Sequence, residues 1–363
     1  MSAEVQIVAA GARAPVGTTA EGVAAAVRAG ISRVQRMRVP ELSGRSDSYV
    51  ARDGLLAPDE WGGAARMAML GAAALEELVG KLASMMAHLR AEVPVLVGLP
   101  EERPGWEAAD VSQVVAALGA VGGASLRLRI EPRLAGHAAA LEGLQDAVTR
   151  VGRAGRYPLV IVGGVDSYLD IETLAWLREN DQWLEEGART GFAPGEAAAF
   201  VALVAASDVR RLGLTPAATV RAAATARETR LINTDALNLG EGLTAAVSKA
   251  LASLDGTRET VENIHCDING DRYRSEEWGF VALRLGTAFR DASAIHTPVR
   301  SCGDVGAATG ALNLVMSAQA WRRRYARGPR TLVWGSSDAG LRAAVLLEDP
   351  NPERGGGIRP WAR

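Results

Sequence analysis

The chain has 363 residues, 48% of them apolar, and its 40 basic and 42 acidic side chains leave a formal charge of -2. That is apolar material for one large domain or two intimately packed halves, which excludes disorder, and a charge balance that offers no global field to nucleic acid or an anionic membrane. Two cysteines, Cys266 and Cys302, are too few for a disulfide framework and stand in no metal-ligand spacing, and no run reaches the roughly 20 apolar residues that span a bilayer, so a soluble cytoplasmic protein without metal or cofactor is expected.

In chain order, short runs of Val, Ile and Leu alternate with Ala-rich stretches at helical period, the pattern of buried strands joined by helices. The first series predicts strands over residues 5–10, 93–98, 125–131, 159–162 and 197–204, with helices over 64–79 and 134–151. After the polar patch 207–214, a second series predicts strands over 217–223, 261–266, 331–334 and 341–348, a further short one near Thr297, and helices over 240–253, 274–285 and 307–327. Each series ends on two strands with no long helix between them, so the two read as architectural repeats, 1–206 and 207–348. A loosely held tail, 349–363, carries Gly355, Gly356 and Gly357. Clustered Pro, Gly and charged residues place 35–58 and 100–108 at the surface. No phosphate loop, dinucleotide fingerprint or Gly-x-Ser-x-Gly elbow is present.

Four stretches, in order, resemble β-ketoacyl synthases of the thiolase superfamily. Residues 7–34, IVAAGARAPVGTTAEGVAAAVRAGISRV, are similar to the family's opening strand, its Pro/Gly loop (Pro15, Gly17) and a helix leading to Gly30 and Ile31. Residues 159–167, LVIVGGVDS, resemble a strand and double-glycine turn, where Gly163 and Gly164 suit a sharp turn that side chains would obstruct. Residues 191–203, GFAPGEAAAFVAL, are the most specific match, and 302–311, CGDVGAATGA, resemble the family's GH loop and GAAG helix start with one residue fewer. The resemblance implies an α/β fold, a thiolase-like five-layer αβαβα sandwich of two duplicated βαβαβαββ halves.

In that family a cysteine enters the third helix of the first half, where the helix N-terminus stabilises a thiolate. Counting from the strand puts that position at Leu134, or at Ala135 with one residue of slippage, and neither is a nucleophile. His137, within a turn of it, reads as an exposed helix histidine. The family's strand-end histidine carries over to His265, and Cys266 beside it reads as a small core residue. The GH-loop histidine is replaced by Asp304, which either caps the helix that follows or orients the imidazole of His265. A family lysine is missing near Val299 and Arg300. The final glycine-rich loop, 334–340, is altered, which leaves Ser336 and Ser337, with Phe192 and Cys302, as candidate substrate contacts. Cys302 is also a candidate relocated nucleophile.

Two readings follow. The first is a non-condensing homologue, a partner or acyl-binding subunit of fatty-acid or polyketide-type synthesis, with a cysteine-free apolar cavity below Leu134. The second is an acyltransferase or thioester-processing enzyme of changed chemistry built on His265 and Asp304. Implied partners are an acyl thioester, on CoA or an acyl carrier protein, and a homodimer or a heterodimer with an active ketosynthase; no nucleic acid and no membrane are expected. The dimer strand would be 125–131, whose Arg127 and Arg129 face an interface, an acidic carrier or solvent.

Overall fold

The computed structural model describes residues 4–37, 48–56, 62–86, 88–122, 126–153, 157–232, 234 and 236–352. Ser125, the 38–47 and 57–58 parts of the expected surface segment, and 353–363 of the expected tail lie outside them.

The first half runs β1 (Val5–Arg13), α1 (Ala20–Arg28), β2 (Val34–Met37), β3 (Ser48–Ala51), α2 (Gly63–Met85), β4 (Ala91–Leu99), α3 (Ala108–Ala120), β5 (Leu126–Leu134), α4 (Ala139–Val148), β6 (Val160–Ser167), α5 (Ile171–Glu179) and β7 (Glu196–Ala205). The second runs α6 (Ala206–Arg211), β8 (Ala218–Arg227), α7 (Glu241–Leu251), β9 (Asn263–His265), α8 (Arg272–Leu285), β10 (Ile295–His296), α9 (Val299–Cys302), α10 (Thr309–Arg322), β11 (Arg330–Ser336) and β12 (Leu341–Glu348).

The large sheet is ordered β10-β9-β11-β12-β8-β1-β7-β6-β4-β5. Apart from the β2–β3 hairpin, each half contributes five strands in the same order: third, second, fourth, fifth, first. In each the fifth strand, β7 or β12, is antiparallel to its neighbours. The halves meet where β1 pairs β8 over three residues, Val5, Gln6 and Ile7.

Three apolar layers separate the helices from the sheet. On one outer face α2 and α3 pack Met67, Leu70, Val114 and Leu118 against Val93, Ile161 and Phe200. On the other, α7 and α8 pack Leu243, Val247 and Trp278 against Ile264, Leu332 and Trp334. Between them, α4 and α10 contribute Leu141, Leu144, Leu312 and Val315 to a core shared with Val162, Val201, Val220 and Val345 from both halves. This is the α-β-α-β-α layering. Helix α10 is buried on every side from Thr309 to Trp321, as a central helix must be, and its small residues allow the approach. A Cβ on Gly310 would sit 3.0 Å from Leu141 Cγ.

The sequence and the structure differ at informative places. Gly163 and Gly164 lie within β6, not in a turn after it; a Cβ on Gly164 would lie 2.2 Å from the Ala307 carbonyl oxygen, so the glycine admits the start of the α10 segment. Strand β5 continues to Leu134 through Pro132, and the next helix begins only at Ala139. Proline is tolerated because β5 ends the sheet order and has no strand neighbour on one side among the described residues. The 100–108 stretch is not simply surface: Trp106 is buried in the outer core, and Glu101 and Arg103 line a cavity.

Candidate functional site

Strand β5 ends in a short elbow. Gly136 takes φ +58, and residues Gly136–Ala138 form a 3₁₀ turn that runs into α4. His137 sits on this turn, buried, at the N-terminus of a central helix. The matching turn of the second half, Gly306–Ala308, leads into α10.

Asp304 reaches the same point by backbone pairing. Its amide donates to the Ala193 carbonyl at 2.8 Å, and its carbonyl accepts from Gly195 at 2.8 Å, so the stretches GFAPGE and CGDVG lie side by side. Gly195 is needed there, since a Cβ would stand 2.1 Å from the Cys302 carbonyl oxygen.

The Asp304 carboxylate meets His137 Nε2 at 2.9 Å, accepts from Asn269 Nδ2 at 2.6 Å, and accepts from the Gly306 amide at 2.8 Å. On the other side of the ring, Arg274 Nη2 lies 3.3 Å from His137 Nδ1. Arg274 is fixed by Asp267 at 2.8 Å and Asp338 at 2.9 Å. A neutral ring with its proton on Nε2 satisfies both contacts, donating to Asp304 and accepting from Arg274. A second carboxylate, Asp166, accepts from the Ala307 amide at 2.8 Å and pairs with Arg103 at 2.7 Å. The Arg103 guanidinium in turn lies over the Tyr168 ring, 4.3 Å from its centre.

Burial alone would raise the Asp304 carboxyl, but His137, Arg274 and Asn269 outweigh it and hold it well below the usual carboxylate range. Burial and the Arg274 charge pull the His137 pKa down, while the charge and hydrogen bond of Asp304, together with Asp267, push it up, and the net shift is upward. Glu101 moves up as well, through burial and the nearby Asp338.

These groups line a cavity of about 360 Å³, together with Phe192, Tyr168 and Trp176. Its wall carries Glu101, Glu102, Asp166, Asp271, Asp304 and Asp338 against Arg103 and Arg274. The cavity expected to be apolar is therefore strongly charged, because the polar loops after β4, β9 and β11 all converge on it.

Of the residues singled out from the sequence, Asp304 and Phe192 line this cavity. His265 does not. It is buried in β9 with Nδ1 unpartnered and its ring 5.1 Å from that of His296; burial first and then His296 lower its pKa to about 3. The histidine that Asp304 holds is His137, which is buried and not exposed. Leu134 and Ala135 precede the elbow, and Leu134 is 53% exposed at the strand end, so the residues facing the cavity at the helix entrance are Gly136 and His137. Strand β5 runs three residues beyond the end at 131 expected from the sequence.

Cys302 has no exposure and packs in the central core, where burial raises its thiol to about 12. Cys266 is likewise enclosed, in the outer core of the second half, and burial moves its thiol far upward. Ser337 is structural at the elbow: its Oγ accepts from the Ala138 amide at 2.9 Å and donates to the Ala135 carbonyl. Ser336 donates to Glu277 at 2.5 Å. Arg274, Asn269, Asp166, Arg103 and Glu101 were missed. The one legible signal was the apolar-charged alternation of β5, which continues through Arg133 to Leu134 and puts the elbow at Gly136. Among the described residues no group of three or more His, Cys, Asp or Glu is disposed to hold a metal ion, and no helix is long and apolar enough to cross a membrane.

No family model and no curated protein matches the sequence. Solved structures do match in fold. A ketosynthase from module 6 of the bacillaene synthase of Bacillus subtilis 168 superposes with a TM-score of 0.78 at 11% identity, covering 96% of this chain and 72% of that one. A type II polyketide-synthase acyl-carrier protein in complex with its ketosynthase bound to the hexaketide gives 0.75 at 14% identity, over 96% and 100%. The ishigamide ketosynthase/chain length factor gives 0.67 at 19% identity, over 95% and 99%. The fold is thus the thiolase-like fold of ketosynthases.

Proposed function

We propose that this chain is a non-condensing, ketosynthase-like subunit of fatty-acid or polyketide-type synthesis that acts as the partner of an active synthase. The observation that carries the reading is how the two helix entrances are filled. No cysteine lines the cavity, Gly136 and His137 stand at the start of the α4 segment, and the Gly306 and Ala307 amides at the start of the α10 segment are already taken by Asp304 and Asp166. Amides capped by the protein's own carboxylates are not free to hold a developing oxyanion, and a second negative charge beside them is repelled.

The partner role is favoured over acyl storage because the cavity is charged and small for a long hydrocarbon chain. Strand β5 supports it further. It closes one end of the sheet order, so one of its edges has no strand neighbour among the described residues, and nine residues of open edge are a template for pairing with another chain. A second copy or a synthase subunit would occupy it. The structures similar to this chain include both a ketosynthase bound by a carrier protein and a ketosynthase/chain length factor.

The test is incubation with acyl-CoA and malonyl-CoA, followed by mass analysis of intact protein and products. The expected result is unmodified protein and unconsumed substrates. An acyl adduct on Cys302 or Cys266 would overturn the proposal. A second reading is thioester hydrolysis in which His137, its Nε2–H held by Asp304 at 2.9 Å, serves as base through Nδ1 once Arg274, 3.3 Å from that nitrogen, turns aside. That reading requires turnover without an adduct, lost in His137→Ala.

A further inference from the structure

On a separate part of the surface from the charged cavity, a groove of about 1100 Å³ lies between the 212–217 segment that links the halves, the end of α10 and the chain following β12. Its floor is apolar, with Val8, Met85, Leu212, Leu214 and Trp321. Four arginines from different places line it: Arg290 from the segment after α8, Arg322 from the last turn of α10, and Arg324 and Arg327 from the loop beyond.

These cations are poorly compensated. Arg322 has only a 3.8 Å contact with Glu21, and among the described residues Arg290, Arg324 and Arg327 form no ion pair within 4 Å, Arg327 having only a longer-range attraction to Asp291. Of the two carboxylates in the lining, Glu262 is engaged by Arg330 at 3.0 Å, and Asp349 accepts from the Asn351 amide at 2.9 Å with no ion pair among the described residues, which leaves four arginines against one unpaired carboxylate. A helix C-terminus does attract cations, which accounts for Arg322, but not for Arg290 arriving from another element.

Arg324 adds an independent sign. It occupies the position after the helix cap with φ +58, where glycine is the favoured residue, and the Schellman pattern is complete: its amide donates to the Trp321 carbonyl at 3.0 Å and the Tyr325 amide to Ala320 at 2.9 Å. A long charged side chain is held in a left-handed conformation where glycine would be less strained.

We propose that this groove binds an acidic, amphipathic polypeptide segment of a partner protein. The arginines supply charge complementarity, and the apolar floor with Pro216, Pro329, Pro350 and Pro352 gives a surface for the apolar face of such a segment. The chain's net charge of -2 and the apolar floor argue against nucleic acid. This inference does not depend on the proposed role of the charged cavity.

Fluorescence anisotropy of the full chain with a labelled synthetic peptide, leucine on one helix face and glutamate on the other, tests it. Micromolar binding that weakens as salt rises is expected, and a drop in affinity of about tenfold in Arg324→Gly and more in Arg327→Glu. Arg324→Gly should at the same time raise the thermal midpoint, so its binding loss cannot come from misfolding. The inference is overturned by absence of micromolar binding, by equal binding of a lysine-for-glutamate peptide or single-stranded DNA, or by an unchanged affinity in Arg324→Gly. It is also overturned if removing 353–363 creates the binding, because the groove would then belong to the chain's own end.

Discussion

Glu196 holds the Arg66 guanidinium with both carboxylate oxygens, at 2.6 and 2.7 Å, and neither side chain has any exposure. It also accepts from the Asp53 amide at 2.8 Å and from Ser167 Oγ at 3.0 Å, so every favourable direction around the carboxylate is used. Replacing it strands a buried guanidinium: Glu196→Ala should cost about 3–5 kcal/mol in denaturant unfolding, while a loss below about 1 kcal/mol would mean the pair is no more than a surface bridge. The His137–Asp304 pair gives a prediction in pH. The upward-shifted His137 contributes stability in full below its ordinary 6.5, lost as pH rises through its folded pKa. The depressed Asp304 contributes above its ordinary 3.8, lost as pH falls through its folded pKa. The pair's stabilisation is therefore greatest between these limits. In an NMR titration His137 should titrate above 6.5, and in Asp304→Asn clearly lower than in the parent chain, since burial and Arg274 are then opposed by Asp267 alone. A His137 titration unchanged by Asp304→Asn would show that the two do not interact.

Among elements, the junction of β6 with the α10 segment has the least tolerance. A Cβ on Gly164 would lie 2.2 Å from the Ala307 carbonyl oxygen and 3.0 Å from the Ala308 Cα, all backbone that cannot rotate away. Gly164→Ala should destabilise by about 1–3 kcal/mol and displace the start of α10, seen as shifted amide resonances at Gly306 and Ala307; unchanged shifts and stability would mean the helix has room. This part of the fold was legible as a motif but not as geometry. The double glycine in LVIVGGVDS signals close approach, yet the sequence does not say whether a turn or a facing helix demands it. Similarly, the alternation Leu126, Leu128, Ile130 marks β5, but its continuation through Pro132 to Leu134 depends on edge tolerance of proline and so on sheet order, which no local pattern encodes. The charged site was lost with that boundary. Arg103, Asp166 and Arg274 are far apart in sequence, and only the convergence of loops from both halves joins them.

At the scale of the whole molecule, the sequence left open one large domain or two intimately packed halves, and the way the two five-strand parts of the sheet are tied together bears on that choice. The sheet joins them through three residue pairs of β1 and β8. The central layer ties them much more firmly: α4 of the first half packs on β8 and β12 of the second, and α10 of the second packs on β1, β6 and β7 of the first. Each helix would expose a broad apolar surface if its opposite half were absent, and that exposure is unfavourable in proportion to area. The chain should therefore unfold as one unit, with a single calorimetric transition whose measured enthalpy equals its van't Hoff enthalpy. A fragment of residues 1–206 should lack dispersed amide resonances, since it retains β1, β6 and β7 but not the α10 that covers them. Two resolved transitions, or a well-dispersed spectrum from that fragment, would show that the halves are autonomous and that the central layer is an interface between domains and not a shared core.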